Sequence, residues 1–321
     1  FGGDRFLRYK PGVITSTLGC FFRAAIHLDI KTDMEHDIYD ESMKHDILEL
    51  GKERLIRIKE LSYMTGIKPD LVSRITPGKL NVYLHMAAAK RSGMLIPDIK
   101  KHTEKPKTLN ELRKLDKGGT IFYPKPGVYE NVAKCDFSSM YPNIIVRYNI
   151  SPETMHCACC EDPIIVPEAG WKICRKPGII PQGIERVLRR RLELKKAMRA
   201  EMDEIKKHEL NLRQKALKNI LVTSFGYLGY KNFIFSNVEC KECVMLYGRR
   251  ILERTKLMAE EEGFEVLYGV VDSVFVRVAQ GNGKADQGNG QKDYERFVKR
   301  ASAEFGFELE LDCVFRKLAF P

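Results

Sequence analysis

Two hydrophobic periods divide the chain into helical and extended segments. Residues 39–66 place Leu48, Leu55, Ile58 and Leu61 close to one stripe, as in an amphipathic helix. Further helices are predicted for residues 77–93, for two long basic segments within 181–232, for 240–263 and for 294–306. The two basic segments meet near "HEL" and therefore predict an antiparallel helical hairpin.

Alternating apolar residues, bounded by turn residues, predict strands between these helices. The stretch "GGTIFYPKPGVYENVAKCDFSSMYP" predicts two strands around a Pro-Gly turn and then the start of a helix. "LYGVVDSVFV", 267–276, predicts a strand, a tight turn and a strand, and 307–320 predict a last strand. Residues 1–35, 96–117 and 280–293 are predicted to be irregular or loops. This order predicts an α+β fold whose strands return to one sheet.

Composition narrows the class of protein. Hydrophobic residues make up 44% of the 321 residues, which is enough for a sizeable core. No apolar run reaches the 18 residues that would predict a membrane span. The net charge of +11, from 54 basic and 43 acidic residues, favours a polyanionic partner, nucleic acid before membrane. The chain begins "FGGDRF", without an initiator Met or a signal peptide, and is therefore expected to be a fragment.

Two carboxylates stand at predicted strand ends. Asp136 follows a strand and precedes a helix start, and Asp272 lies at the turn of a hairpin. Each has an ordinary interpretation as a turn or cap residue. Together they predict a site for divalent cations, since pairs of Mg²⁺ ions held by carboxylates and phosphates are common in phosphoryl transfer.

The basic hairpin offers cations that complement such a site. Arg191 and Lys195 are four residues apart and share one helix face, while Lys215 and Lys218 are three apart on the next helix. Such stripes are usually solvated faces. If the two faces meet, their cations could bind a triphosphate.

Cysteine spacing suggests metal binding or redox chemistry. "HCACCED" contains Cys157, Cys159 and Cys160, Cys174 follows, and "CKEC" contains a further pair. Disulfides are the alternative, chiefly in hyperthermophiles. The spacing leaves both open.

Three motifs in order resemble those of DNA polymerase family B, in its archaeal branch. "DFSSMYPNIIVRYNISPETM" resembles the first palm motif DxxSLYPSII, "RQKALKNILVTSFGYLGY" the fingers motif KxxxNSxYG, and "YGVVDS" the third motif YxDTDS. The resemblance covers roughly residues 36–321 and implies a palm sheet with helical-hairpin fingers and an exonuclease remnant; the thumb is absent. It implies these domains: the end of the N-terminal and exonuclease region at 1–66, palm at 67–180, fingers at 181–232, and the second part of the palm at 233–321.

The resemblance also implies roles for individual residues. Asp136 and Asp272 match the catalytic metal ligands, and Glu310 matches an accessory acid of the late palm strand. Tyr141 matches the tyrosine that packs under the sugar and excludes a 2′-hydroxyl. The remaining matches would bind the triphosphate, through backbone N–H groups of Ser138, Ser139, Met140 and Tyr141 and through the cations of Arg191, Lys195 and Lys218.

The sequence departs from the family pattern at several positions. Val270 and Val271 replace the first Asp and the Thr of the third motif, and Val222 and Phe225 replace the Asn and Tyr of the fingers motif. These changes predict altered nucleotide affinity or fidelity. Met43 stands where the last exonuclease motif has an Asp, and a thioether is a poor ligand for Mg²⁺. Proofreading is therefore not expected.

The implied function is template-directed DNA synthesis from dNTPs, in repair or lesion bypass. Two Mg²⁺ ions, with Mn²⁺ as an alternative, are the implied cofactors, and primer–template DNA is the implied partner. A second polypeptide supplying the thumb and a sliding clamp are further candidates, with a cytoplasmic, nucleoid-associated location and no membrane. In relatives, positions matching Cys160 with Cys174 and Cys240 with Cys243 form disulfides, with a metal site as the rival reading. The alternative function is an inactive polymerase-like scaffold that binds DNA.

Overall fold

The computed structural model describes residues 44–96, 107–115, 121–279 and 290–321. Its helices are α1 (Lys44–Thr65), α2 (Pro69–Val72), α3 (Pro77–Arg91), α4 (Leu109–Leu115), α5 (Met140–Arg147), α6 (Ile179–Ala200), α7 (Glu204–Leu228), α8 (Val238–Glu261) and α9 (Gly290–Phe305). Its strands are β1 (Ile121–Phe122), β2 (Gly127–Phe137), β3 (Ile164–Ile165), β4 (Lys172–Ile173), β5 (Phe264–Val270), β6 (Ser273–Val278) and β7 (Leu309–Phe320). Helices and an antiparallel sheet together confirm the predicted α+β class.

The main sheet has five strands in the order β1-β5-β6-β2-β7, with every neighbouring pair antiparallel. Its register aligns one residue from each of four strands: Val270 opposite Ser273, Ser273 opposite Asp136, and Asp136 opposite Glu310. Residues directly opposite each other in a sheet project to the same face. One row of side chains across the sheet therefore contains two carboxylates, a serine and a valine.

Helices α8 and α9 pack against this sheet and close the core. The buried ring of Phe264 on β5 contacts the buried rings of Tyr294 and Phe297 on α9. At the other end of α9, the ring of Phe305 packs edge-on against Phe137, with 5.7 Å between their centroids. Phe137 directly follows Asp136, so this packing fixes the end of β2 and the carboxylate beside it.

The helices α6 and α7 form the predicted antiparallel hairpin, and α1 packs across it. Glu60 of α1 is 2% exposed and accepts hydrogen bonds at 2.7 Å from the guanidinium groups of Arg190 on α6 and Arg213 on α7. These two ion pairs lower the pKa of Glu60 although its burial opposes ionisation. One buried carboxylate therefore connects three helices.

The hairpin turn differs from the prediction. Residues 208–210, "HEL", lie inside α7, and the chain reverses between Glu201 and Asp203 instead. The side chain of Asp203 accepts hydrogen bonds from the backbone N–H groups of Ile205 and Lys206, which makes it the N-cap of α7. Residues 208–210 contain no such helix-capping signal, and Glu and Leu readily continue a helix.

Three further predictions need correction. The loop predicted for 96–117 contains α4, whose start is capped by reciprocal bonds between Thr108 and Glu111. The strands β1 and β2 flank the Pro-Gly segment as predicted, but they do not pair with each other: β1 pairs with β5. A small β3–β4 sheet was not predicted. Met43, residues 1–35 and most of the 280–293 loop lie outside the described residues.

The described helices were also compared with the length and hydropathy that a bilayer requires. None of them is long and apolar enough to cross a membrane.

Candidate active site

The predicted carboxylates Asp136 and Asp272 lie on neighbouring parts of the sheet. Asp136 is the penultimate residue of β2, and Asp272 lies in the two-residue turn between β5 and β6. The backbone N–H of Phe137 donates to the carbonyl oxygen of Asp272 at 2.9 Å, and the hydroxyl of Ser273 donates to Oδ1 of Asp136. These bonds hold the hairpin tip against the end of β2, and the structure thus brings together the two acids that were expected to share cations.

The turn that carries Asp272 is strained. Val271 has a φ of 54°, in the left-handed region, which β-branched residues rarely adopt. A two-residue hairpin loop with positive φ at its first position normally has glycine there. Backbone strain of this kind persists where the surrounding structure over-determines it, often at functional sites. The β5–β6 pairing on either side of the turn, from Val270 opposite Ser273 onward, supplies that constraint.

The electrostatics of Asp272 favour a bound cation. Burial raises the pKa of its carboxyl group, and the neighbouring charge of Asp136 raises it further. The same pocket affects Tyr141, since burial and then the charge of Asp272 raise the pKa of its phenol. Two partly buried like charges destabilise each other, and a divalent cation between them would remove that cost.

We expect Asp272→Asn to raise the melting temperature of the metal-free protein at neutral pH. A carboxyl group whose pKa is raised by folding stabilises the fold fully below its ordinary pKa, and this contribution is lost as the pH rises through the folded-state value. The benefit of the substitution should therefore grow from acidic to neutral pH. Thermal unfolding between pH 4 and 8, in chelator, measures it; a lower melting temperature than the parent at pH 7 would show that Asp272 has favourable partners instead.

A third carboxylate, Glu310, lies opposite Asp136 on β7, but it is engaged by the helical hairpin. Its Oε1 lies 2.6 Å from Nζ of Lys195, with Arg199 at 4.0 Å. Lys195 also lies 3.8 Å from Glu308. The structure thus places Lys195 and Glu310, both predicted site residues, in direct contact.

Arg191 reaches the same region one helical turn earlier on α6. Its Nη1 donates to the hydroxyl of Ser139 at 3.0 Å, and its Nε donates to Oε1 of Gln214 at 3.3 Å. Burial lowers its pKa from the usual value, although Glu310 and Glu308 oppose this effect. Lys218 projects from α7 and is exposed. Of the three cations predicted to bind the triphosphate, Lys195 therefore contacts the sheet at β7, and Arg191 contacts the turn that follows β2.

The turn after β2 accounts for the predicted backbone donors only in part. The N–H of Ser138 donates to the carbonyl oxygen of Glu308 at 2.9 Å, so this donor is engaged within the protein, and its binding to phosphate stays a prediction. Ser139 is the N-cap of α5 in a left-handed conformation, with φ of 56°. Met140 and Tyr141 follow in the first turn of α5, where backbone N–H groups have no helical acceptor. The prediction that backbone N–H groups bind the triphosphate therefore applies most directly to this first turn of α5.

Tyr141 lies against the hairpin. Its ring is 4.3 Å from that of Phe225 on α7, with 35° between their planes. Lys218, Val222 and Phe225 follow each other at spacings of four and three residues and so share one face of α7. Val222 is 65% exposed on this face. Val222 and Lys218 are therefore exposed on the same face of α7 as Phe225, the residue that contacts Tyr141.

Four cysteine sulfurs form a second site. The Sγ atoms of Cys157, Cys159, Cys160 and Cys174 all lie within 4.8 Å of one another. Over the described ranges, no other set of three or more His, Cys, Asp or Glu side chains is grouped so closely. The carboxylates of the main sheet do not form a group of three or more whose oxygen atoms lie this close together.

The predicted disulfides are not bonded in the structure. The Sγ atoms of Cys160 and Cys174 are 3.6 Å apart, and Cys240 and Cys243 are free buried thiols on α8. Burial raises the pKa of both α8 thiols. The pairing of Cys240 with Cys243 stays a prediction.

Sequence reasoning missed three residues that organise the site. Ser273 binds Asp136, and Glu308 contacts Lys195 and accepts from Ser138. The alternation in "FELELD" could have indicated Glu308, since it puts Glu308 and Glu310 on one face of the strand. Glu60 carried no local signal, because its partners are more than a hundred residues away.

Comparison with known proteins identifies the family. The family model for DNA polymerase family B matches residues 76–320. "DNA polymerase 2" of Saccharolobus solfataricus is 36% identical over 251 residues, 78% of this chain and 36% of that protein. "DNA polymerase" of Thermococcus gorgonarius is 34% identical over 266 residues, 82% of this chain and 33% of that protein.

A solved structure agrees with these matches. The family B DNA polymerase of Pyrobaculum calidifontis superposes with a TM-score of 0.62 at 29% identity, over 85% of this chain and 34% of that one. The chain therefore belongs to DNA polymerase family B, with archaeal relatives, and the predicted resemblance is confirmed. It spans about a third of the length of the relatives it matches.

Proposed function

We propose that this chain carries the nucleotidyl-transfer site of a DNA-directed DNA polymerase. The main sheet acts as the palm, and the α6–α7 hairpin acts as the fingers. The observation that carries the proposal is that acidic and basic side chains meet at one edge of the sheet. The carboxylates are those of Asp136 at the end of β2 and Asp272 in the β5–β6 turn, and the cations Arg191 and Lys195 reach the same region from the hairpin. Family membership and the net charge of +11 support the same conclusion.

The donor set fits the divalent cations that the family implies. Carboxylate oxygens are the ligands that Mg²⁺ prefers, and the raised pKa of Asp272 reflects a mutual repulsion that such a cation would relieve. Asp136 and Asp272 would hold two Mg²⁺ ions, or Mn²⁺, with Glu310 as an accessory acid. When bound, these ions would neutralise phosphate charge and lower the pKa of the primer 3′-hydroxyl.

The hairpin residues would neutralise and orient the triphosphate. Arg191 is held by Ser139 and Gln214, so its guanidinium is positioned before a nucleotide arrives. Lys195 would exchange its bond to Glu310 for a phosphate oxygen, which would also release Glu310. The first turn of α5 would donate backbone N–H groups to the same phosphates. With the nucleotide so held, the primer 3′-oxygen attacks the α-phosphorus in line, and pyrophosphate leaves.

Primer–template DNA and dNTPs are the substrates in this proposal. A sliding clamp and a second polypeptide that supplies a thumb are further partners within it, and repair or lesion bypass is the proposed setting. Met43, where the exonuclease motif differs, leads us to propose that proofreading is absent.

A second candidate function is a DNA-binding scaffold without catalysis. The observation in its favour is Val270, which lies in the same row of the sheet as Ser273 and Asp136, where the third family motif has an aspartate. Loss of that carboxylate reduces the negative charge available to hold cations.

Primer extension distinguishes the two functions. The protein, at the length at which it is encoded, is incubated with labelled primer–template, dNTPs and Mg²⁺, and its DNA affinity is measured in parallel. Template-dependent extension supports the polymerase. Tight binding of primer–template without extension in either Mg²⁺ or Mn²⁺ would contradict it and favour the scaffold.

We expect Tyr141→Ala to relax the selection of deoxynucleotides. The ring packs on Phe225 and would lie under the sugar, so its removal opens space for a 2′-hydroxyl. Ribonucleotide incorporation relative to deoxynucleotide incorporation should rise by about 10²-fold, a few kcal/mol of lost steric discrimination. Single-turnover incorporation of matched rNTP and dNTP measures the ratio. Tyr227→Phe, which keeps an aromatic ring and lies further along α7, serves as the control; an unchanged ratio in Tyr141→Ala would remove Tyr141 from this role.

A further inference from the structure

Four cysteine sulfurs converge next to the β3–β4 pair with the dimensions of a metal centre. Four of the six sulfur–sulfur separations are 3.6 Å from Cys157 to Cys159, 3.9 Å from Cys159 to Cys160, and 3.6 Å from Cys174 to both Cys159 and Cys160. All six are within 4.8 Å. A tetrahedral zinc ion with Zn–S bonds of about 2.3 Å keeps its sulfurs about 3.8 Å apart. The four sulfurs therefore already lie close to the corners of such a tetrahedron.

We propose that Cys157, Cys159, Cys160 and Cys174 bind one tetrahedral zinc ion. This site is separate from the carboxylates of the main sheet and does not depend on the proposed polymerase activity. Tetrahedral sulfur ligation is characteristic of zinc or iron–sulfur centres, and zinc sites of this type are structural.

The backbone around the cluster is arranged to stabilise thiolates. The N–H of Lys176 lies 3.4 Å from the sulfur of Cys174. Hydrogen-bond donors aimed at the ligating atoms are the usual outer-shell support of a metal site, because they disperse the charge of the thiolates.

The two segments that supply the sulfurs are paired by main-chain bonds. The N–H of Cys157 donates to the carbonyl oxygen of Lys172 at 3.0 Å, and the N–H of Cys174 donates to that of Thr154 at 2.8 Å. A bridge between Met155 and Ile173 lies between them. The sulfurs are thus positioned by backbone pairing, and the ion would not have to gather them from distant loops.

Other occupants fit the cluster less well. A disulfide between Cys160 and Cys174 would need their sulfurs about 2.05 Å apart, and Cys159 lies as near to Cys174 as Cys160 does. An iron–sulfur cluster distributes its cysteines over several irons, whereas these four sulfurs surround a single point. His156 is not part of the cluster, because neither of its ring nitrogens belongs to the group of ligand atoms that lie within 4.8 Å of one another.

The position of the cluster indicates what the ion does. Helix α5 follows the catalytic strand β2, α6 carries Arg191 and Lys195, and the cysteines lie in the connection between them. Asn149 fastens this connection: its Nδ2 donates at 2.7 Å to the carbonyl oxygens of Cys174 and Lys176, and its Oδ1 accepts from Gly178 at 2.8 Å. A zinc ion would therefore fix the start of α6 relative to α5 without contacting the reacting groups.

Metal analysis of the protein, purified without chelator after growth with zinc, tests the proposal. We expect one zinc per chain by plasma mass spectrometry and a zinc K-edge spectrum that fits four sulfurs at about 2.3 Å. Cys159→Ser, at an exposed position, and Cys174→Ser should each lose the zinc. Cys313→Ser removes an exposed thiol from β7, outside the cluster, and should keep it.

Four results would overturn the proposal. The first is a disulfide between Cys160 and Cys174, seen by mass after alkylation of the denatured, unreduced protein. The second is iron with acid-labile sulfide in place of zinc. The third is a zinc shell of nitrogen or oxygen, and the fourth is zinc that persists in both serine variants. The spectrum of the parent protein decides the ligands even if a variant fails to fold.

Discussion

Replacing Asp136 or Asp272 by asparagine is expected to lower the rate of single-nucleotide incorporation by about 10³-fold or more. Ligands of a catalytic cation contribute several kcal/mol to transition-state stabilisation, and every 1.36 kcal/mol is about a factor of ten in rate. Asparagine keeps the size of each side chain but removes its charge. The hydrogen bond from Ser273 and the packing of Phe137 preserve the end of β2 in the Asp136 variant. Rapid-quench incorporation with saturating dNTP measures the rate.

The matched control removes a carboxylate from the same sheet away from the site. Glu265 on β5 pairs with Arg277 at the surface, and Glu265→Gln should leave incorporation within about twofold of the parent. Both site variants should still bind primer–template. Incorporation at the parental rate in Asp136→Asn and Asp272→Asn would place the reaction elsewhere.

Replacing Glu60 by glutamine is expected to loosen α1 from the helical hairpin. Removing one member of a buried ion pair leaves its partners uncompensated and typically costs about 3 kcal/mol, reduced here because Arg190 and Arg213 are each partly exposed. Amides of α1 should then exchange with solvent up to roughly a hundredfold faster, if α1 opens as a local unit. Hydrogen exchange followed by mass spectrometry measures this change.

The pH dependence and a matched variant make the Glu60 prediction specific. Ion pairing lowers the pKa of Glu60, so its contribution to stability is present above its ordinary pKa and is lost as the pH falls through the lower folded value. The difference between parent and variant should therefore shrink in acid. Glu53→Gln, on the same helix with the more exposed partners Arg57 and His208, should change exchange by less than about fivefold. Equal effects of both substitutions would contradict a special role for Glu60.

The sequence was most informative where chemistry and local periodicity coincide. Asp136 and Asp272 were predicted because Asp136 follows a predicted strand and Asp272 lies at the turn of a predicted hairpin, and the order of the motifs linked them. Lys195 and Glu310 were predicted separately, but their 2.6 Å contact depends on how α6 packs over β7, which no local pattern encodes. Within the described residues, the sequence therefore predicted which side chains belong to the candidate site, but not the hydrogen bonds and ion pairs that these side chains make with one another.

The errors have equally local causes. The hairpin turn was predicted near residues 208–210, whereas the capping of α7 by Asp203 decides where that helix begins. The pairing of β1 with β5 could not be inferred, because a two-residue strand has too few positions to specify a partner. The cysteines were recognised as a metal or disulfide candidate, but a choice between them required the positions of the four sulfurs.

Val270 and Val271 are the positions at which the hairpin tip differs from the family motif. Relative to the family motif, the hairpin tip has lost a carboxylate and a hydroxyl, yet it keeps a left-handed residue at position 271. The neighbouring pairing of β5 with β6 and the bond from Phe137 to Asp272 hold the tip in place. The retained aspartate is thereby presented to Asp136 although its former polar neighbours are gone.

The central claim is that Asp136 and Asp272 together hold the divalent cations of the reaction. It is tested most directly by counting bound Mn²⁺ by electron paramagnetic resonance, in a complex with a dideoxy-terminated primer–template and the matching dNTP. We predict two bound Mn²⁺ ions that require the protein, and the loss of at least one of them in each of Asp136→Asn and Asp272→Asn. Two tightly bound ions in both variants would contradict the claim.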